Sequence, residues 1–198
     1  RRCLVGSEMC IRDRSIVGKD KSFFKNIRIN AVNDFHDDNL YIESCASKIS
    51  TTQQRIGKPD KLLFSFHGIP QSYICEDEPY QSQCLITASL IAKKLNLDKS
   101  QYEVAFQSRF GKAEWIKPYL SSRLEELPKE GIHNIHVFCP GFSSDCLETI
   151  DEIGRESKEE FFEHGGKSFE FIPCLNSEKS FINAVSYTHL RAHETSPD

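Results

Sequence analysis

Short apolar runs alternate with stretches of helical period along most of this chain, and that alternation limits the fold more than any other feature. Residues 26–32 (NIRINAV) alternate apolar and polar side chains and predict a strand. Residues 61–66 (KLLFSF), 102–106 (YEVAF), 135–139 (IHVFC) and 169–172 (FEFI) predict four more. Helices are expected between them, over 37–56 (entered through Asp37 and Asp38), 79–97, 113–127 and 145–164, with a last one starting near Ser177. The third must accommodate Pro118, and Gly165-Gly166 stand at the C-cap of the fourth. Strands that alternate with helices predict an α/β fold, a parallel sheet flanked by helices on both faces. The sequence shows no internal repeat and no low-complexity tract.

The two ends read differently from the rest. Residues 1–13 (RRCLVGSEMCIRD) and 185–197 (VSYTHLRAHETSP) are unrelated as amino acids, yet each residue of one admits a codon reverse-complementary to its counterpart in the other. Asp13 pairs with Val185, Met9 with His189 and Arg1 with Pro197. One DNA sequence flanking an insert in inverted orientation produces that relation, and the translation resembles a transposon-type sequencing adapter. Residues 1–14 and 185–198 are therefore expected to be adapter-derived. Residues 15–184 are then the single domain to be reasoned about.

The ends hold five of the 25 Lys/Arg and four of the 29 Asp/Glu, leaving 20 basic and 25 acidic side chains and a formal charge of −5. A mildly acidic chain argues against a nucleic-acid partner. No apolar run approaches the roughly 18 residues that a membrane span needs. Cys45, Cys75, Cys84, Cys139, Cys146 and Cys174 form no CxxC pair, which suits buried, reduced thiols in a cytoplasmic protein.

In open parallel sheets, ligands sit beyond the carboxyl ends of the strands. The residues that follow each strand are then His67-Gly68, Gln107-Ser108-Arg109, and 140–148. His67 is a turn residue or a proton acceptor at the sheet rim. No nucleophile-elbow glycines surround Ser65, which argues against a serine hydrolase. Asp145-x-x-Glu148 reads as a capping box. Asp145, Glu148, Glu152 and Glu156 recur on one helical face opposite Leu147, Ile150, Ile153, Gly154 and Phe161. That pattern is either a solvated acidic face or a row of oxygen ligands leading a divalent cation inward. Trp115 is either core or a ligand-facing wall; His133 and His136 read as structural.

Three segments, LLFSFHGIP (62–70) with Pro79-Tyr80, FQSRFGKAEW (106–115) and CPGFSSDCLETIDEI (139–153), come in one order and spacing. Together they closely resemble the ferrochelatase family of bacterial type, with similarity through most of 26–183. The resemblance implies a lyase that inserts Fe²⁺ into protoporphyrin IX, the last step of haem biosynthesis. It implies the second of two similar chelatase-like domains, with the first domain missing and packing against this half. By the same resemblance His67 is the proton acceptor or a metal ligand, and Glu148 the carboxylate opposite it on the proton or metal path. Asp145 and Glu152 extend that path, Trp115 and Phe142 wall the porphyrin, and Gln107, Ser108 and Arg109 line the same edge. Protoporphyrin IX and Fe²⁺ are the implied partners, peripheral membrane contact is left open, and the iron is substrate. No resident cofactor is expected, and the cysteine spacing does not match the [2Fe–2S] arrangement of some relatives. Asp77 stands where the family commonly has glycine, and Cys146 where some relatives have histidine. The literal fragment is expected to be inactive. A chelatase for another tetrapyrrole and metal, and a non-catalytic tetrapyrrole-binding module, are the alternative readings.

Overall fold

A computed structural model describes residues 34–74 and 79–194, with side chains through Ser186. The strand expected over 26–32 and the loop position Asp77 lie outside the described residues. Phe35–Ser186 form one unit.

The unit opens with helix α1 (Asn39–Ile56), whose N-cap Asp38 accepts from the amides of Leu40 and Tyr41 at 2.9 and 3.0 Å. That cap satisfies two of the amides a helix start leaves orphaned. Strand β1 (Lys61–His67) follows, then α2 (Tyr80–Lys94), β2 (Tyr102–Gln107), α3 (Leu120–Lys129) and β3 (Asn134–Phe138). After β3 come α4 (Leu147–Ile150), a π-helical segment (Glu152–Ser157), α5 (Lys158–Glu163), β4 (Ser168–Ile172) and α6 (Lys179–Glu194). The four strands pair in the order β2-β1-β3-β4, all parallel, as the alternation predicts.

Strand residues alternate between two cores because successive side chains point to opposite faces. Leu62, Phe64, Phe66 and Phe106 pack on one face with Ile42, Cys45 and Ile49 of α1 and Cys84, Ala88 and Ile91 of α2. Leu63, Ala105, Ile135 and Val137 pack on the other with Leu120, Leu124 and Leu127 of α3, Ile153 and Phe161. Each Leu, Ile, Val or Phe among them taken fully out of water contributes about 1.5–3 kcal/mol. No helix among the described residues is long and apolar enough to cross a membrane.

Two expectations change. The helix after β2 starts at Leu120, not near Ala113. Glu114 to Ile116 are instead extended against Ile69 to Gln71, with Ile116 N–H donating to Ile69 and Gln71 N–H to Glu114 at 3.0 and 2.8 Å. Pro118, which follows a cis peptide bond, lies before the helix, where its missing N–H costs no helical bond. The long acidic helix is also not uniform. At the π segment Glu156 N–H bonds back to Asp151 at 2.9 Å, five residues earlier, so the helical faces shift in phase. Ile153 and Phe161 stay buried, but Leu147 and Ile150, expected on the same apolar face, are 74% and 59% exposed.

The π–α5 run ends in a Schellman motif, with Gly165 at φ +99° and the Gly166 N–H bonded to Phe161 at 2.9 Å. A Cβ on Gly166 would lie 2.2 Å from two atoms of the fully buried Phe161 ring. Gly166→Ala is therefore expected to cost about 1–3 kcal/mol, the usual range for overpacking, read as a lowered urea midpoint. An unchanged midpoint would mean the ring has room to move.

His136 sits in the middle of β3, buried, with no partner for Nδ1 among the described residues. Burial holds its pKa below the ordinary histidine value of 6.5. Between that lowered value and 6.5 the unfolded chain binds the extra proton, so this histidine favours folding above pH 6.5 and opposes it progressively as pH falls. His136→Leu should flatten the acid limb of stability against pH. Identical acid limbs in parent and variant would remove His136 from that role.

Candidate active site

The connection from β1 runs out to β2, the chain then returns across β1 to β3, and it leaves β3 in the opposite direction toward β4. The carboxyl ends of β1 and β3 thus flank a topological switch point, where a parallel sheet opens a crevice. His67, the last residue of β1, stands there beside Gln107 of β2. Strand parity puts His67 on the same face as Leu63 and Ser65. Its backbone carbonyl accepts from the Tyr80 hydroxyl at 2.7 Å. Its ring centre is 6.4 Å from both Trp115 and Phe142. Nδ1 lies 2.6 Å from the Gly68 carbonyl. A carbonyl can only accept, so we assign the ring hydrogen to Nδ1, which leaves the Nε2 lone pair free.

The aromatic surroundings are layered. Trp115 is 4% exposed, and its indole N–H has no hydrogen-bond partner among the described residues. Phe110, which the sequence reading did not single out, lies edge-on to it at 5.1 Å and is 71% exposed. The exposed ring of this pair is thus Phe110, with Trp115 packed beneath it and next to His67. Its only sequence signal was a second phenylalanine within FQSRFG. Phe142 is half-buried in the turn after β3, and Arg109 stacks its guanidinium 4.5 Å over the Tyr119 ring. Tyr41 of α1 donates to the Pro140 carbonyl, fixing that turn from the other core.

The acidic residues divide into two groups. Glu152 receives the Ser108 N–H and hydroxyl, each at 2.6 Å, and the Gln107 amide at 3.3 Å. Ser108 adopts φ +64°, a left-handed conformation that lets its amide and hydroxyl reach the same carboxylate. Glu148 is half-buried, and its backbone carbonyl accepts from Gln107 at 2.7 Å. Partial burial, and then the neighbouring Glu148 carboxylate, push the Cys146 thiol pKa up. Asp145 is held apart from these. Its carboxylate accepts from Cys174 N–H at 2.9 Å and from the Asn176 amide at 2.7 Å, which locks the 174–176 loop. Partial burial raises the Asp145 pKa, but the donors from Asn176 and Cys174 outweigh it and hold the carboxyl below its ordinary value. The capping box is Cys146 with Thr149, one residue later than the expected Asp145 with Glu148. Thr149 supplies the side chain that reaches back to the Cys146 N–H at 2.9 Å, which leaves the Glu148 side chain free of cap duty.

Hydrogen bonds therefore tie Gln107 and Ser108 to the turn that carries Glu148 and Glu152, and ring contacts set His67, the strand partner of Gln107, beside Trp115 and Phe142. Among the described residues, the one group of metal-type ligands within 4.8 Å of one another is Asp34, His36 and Asp37, before α1. The expected set of His67, Glu148, Asp145 and Glu152 is spread more widely than that.

A family model described as Ferrochelatase matches residues 14–192. The chain belongs to the ferrochelatase family. It is 46% identical over 155 residues to a ferrochelatase from Idiomarina loihiensis, covering 78% of this chain and 43% of the relative. A ferrochelatase from Janthinobacterium sp. (strain Marseille) is 45% identical over 155 residues, 78% of this chain and 42% of that one. One from Marinobacter nauticus is 46% identical over 154 residues, with coverage of 78% and 42%. The chain spans less than half the length of these ferrochelatases. The parallel sheet flanked by helices agrees with the α/β chelatase-like fold that the three ferrochelatase motifs imply.

Proposed function

We propose that the complete protein inserts Fe²⁺ into protoporphyrin IX to form protohaem, and that these residues supply one side of its cleft. The observation that carries this reading is His67, tied through Nδ1 to the Gly68 carbonyl and set between Trp115 and Phe142 at the β1–β3 crevice. Insertion exchanges two pyrrole N–H protons for one Fe²⁺. A neutral imidazole with Nε2 unoccupied can take one of those protons near neutral pH, or hold the metal with the same lone pair. Glu148, in the turn that Gln107 holds, has a carboxylate suited to pass the metal inward or carry the second proton away. Glu152 and Asp145 are weaker stations for the cation in this reading, because protein donors already hold each carboxylate. Phe110 and Phe142 supply the apolar faces a flat macrocycle needs, with Trp115 packed beneath Phe110 and with Ser108 and Arg109 at the polar edge.

The exposed Leu147 and Ile150 would be covered in the complete protein by the half that this chain lacks, and the isolated chain would be inactive or nearly so. Iron is substrate here, and no resident iron–sulfur cluster is proposed. Cys45 and Cys84, whose thiols burial pushes up to about 12, are poor thiolate ligands. Buried free thiols suit a reducing, cytoplasmic setting.

The test is product stoichiometry. The complete protein, given protoporphyrin IX and Fe²⁺ anaerobically, should form the haem absorption spectrum and release two protons per iron into a weakly buffered indicator. Porphyrin binding with neither change would leave a carrier, not an enzyme.

A further inference from the structure

Gln107 was expected at the porphyrin edge, yet its side chain is 3% exposed and every polar atom of its amide is used within the protein. Oε1 accepts from the Ser65 hydroxyl of β1 at 2.7 Å and from the Cys139 thiol after β3 at 3.6 Å. Nε2 donates to the Glu148 carbonyl at 2.7 Å and to the Glu152 carboxylate at 3.3 Å. A carbonyl and a carboxylate can only accept, so the nitrogen must face the helix and the oxygen must face the sheet. One buried amide therefore joins the ends of β1, β2 and β3 to the junction of α4 with the π segment. That junction carries Glu148 and Glu152.

We propose that Gln107 is a positioning residue for the metal path. Its amide fixes the turn from Glu148 to Glu152 over the sheet, and through that turn sets where both carboxylates stand relative to His67. This rests on the reading of the complete protein as a metal-inserting enzyme. Gln107 itself touches neither porphyrin nor iron.

Gln107→Glu keeps the shape but turns an oxygen toward the Glu148 carbonyl and the Glu152 carboxylate. Lone pairs and like charge then oppose each other where a donor stood. Gln107→Asn keeps the amide but is one methylene shorter, so it reaches the sheet or the helix and not both. The experiment measures anaerobic protoporphyrin metallation by the complete protein and both variants, varying Fe²⁺ and porphyrin separately, with each melting temperature recorded. Orienting groups of this kind typically change metal affinity or activity about 10–100-fold, and Gln107→Glu should raise KM for Fe²⁺ by about that factor. KM for porphyrin should stay within about twofold, with Gln107→Asn between parent and Gln107→Glu. If Gln107→Glu fails to accumulate as folded protein, Gln107→Asn alone carries the comparison. A rise in porphyrin KM with iron KM unchanged would return Gln107 to the cleft wall and overturn the proposal. A fall in kcat that tracks melting temperature, with both KM values unchanged, would reduce it to a stabilising contact and overturn it equally. A parent protein that metallates nothing would overturn the functional reading, and this inference with it.

Discussion

Replacing His67 with alanine in the complete protein is expected to lower the rate of metal insertion about 10²–10⁴-fold, the range that a positioned acid–base group contributes. The reason lies in one hydrogen bond. With Nδ1 committed to the Gly68 carbonyl at 2.6 Å, Nε2 is the ring's open acceptor. Alanine removes that acceptor without disturbing the core, because His67 is only half-buried and Ser65 and Phe66 before it hold the strand. Porphyrin affinity, measured by quenching of protoporphyrin fluorescence without metal, should change little, since the exposed ring of Phe110 and the half-buried Phe142 remain. His67→Ala with a normal insertion rate would move the base or metal ligand elsewhere.

The second large effect is expected at the next residue. Gly68 N–H donates to the Gln107 carbonyl at 2.9 Å, carrying the β1–β2 ladder one step past His67. A Cβ there would stand 2.9 Å from that same carbonyl oxygen and 3.1 Å from the Trp115 ring. A backbone oxygen cannot swing aside as a side chain can, so Gly68→Ala must push the end of β1 away from β2. The displacement takes His67 with it, because the imidazole is tied to the Gly68 carbonyl. Overpacking of this kind costs about 1–3 kcal/mol, read as a lowered urea midpoint. Misplacing a reacting group by about 1 Å can cost on the order of 10²-fold in rate. A Gly68→Ala protein with both midpoint and rate of the parent would show that the close approach is relaxed at no cost.

The fold was legible where local chemistry decides it. Asp38 at the start of α1, Gly165 after α5 and the alternating runs of β1 to β4 each act through neighbours a few residues away. Pro118 was visible too, but the sequence did not reveal that Glu114 to Ile116 pair with Ile69 to Gln71, a contact more than 40 residues distant. The π segment was hidden for a related reason. On an α-helical wheel Leu147, Ile150, Ile153 and Phe161 share a face, and only the extra residue in the turn separates the exposed pair from the buried pair.

In the site, strand order alone was enough to bring His67, Gln107 and Phe142 to one edge. The uses of the polar side chains were not legible. Asp145 and Glu152 are both carboxylates at helical spacing from Glu148, yet one locks the 174–176 loop and the other is gripped by Ser108 and Gln107. Which donors meet a carboxylate depends on loops that sequence spacing does not encode. Phe110 was missed because exposure of one ring, and burial of Trp115 beneath it, is a matter of tertiary packing.

The central claim is tested most directly by following protoporphyrin fluorescence after Fe²⁺ is added anaerobically to the complete protein, with the His67→Ala protein beside it. Fluorescence that falls with turnover in the parent and persists in the variant is the predicted result. Porphyrin bound by the intact protein with no metal-dependent loss of fluorescence would contradict it.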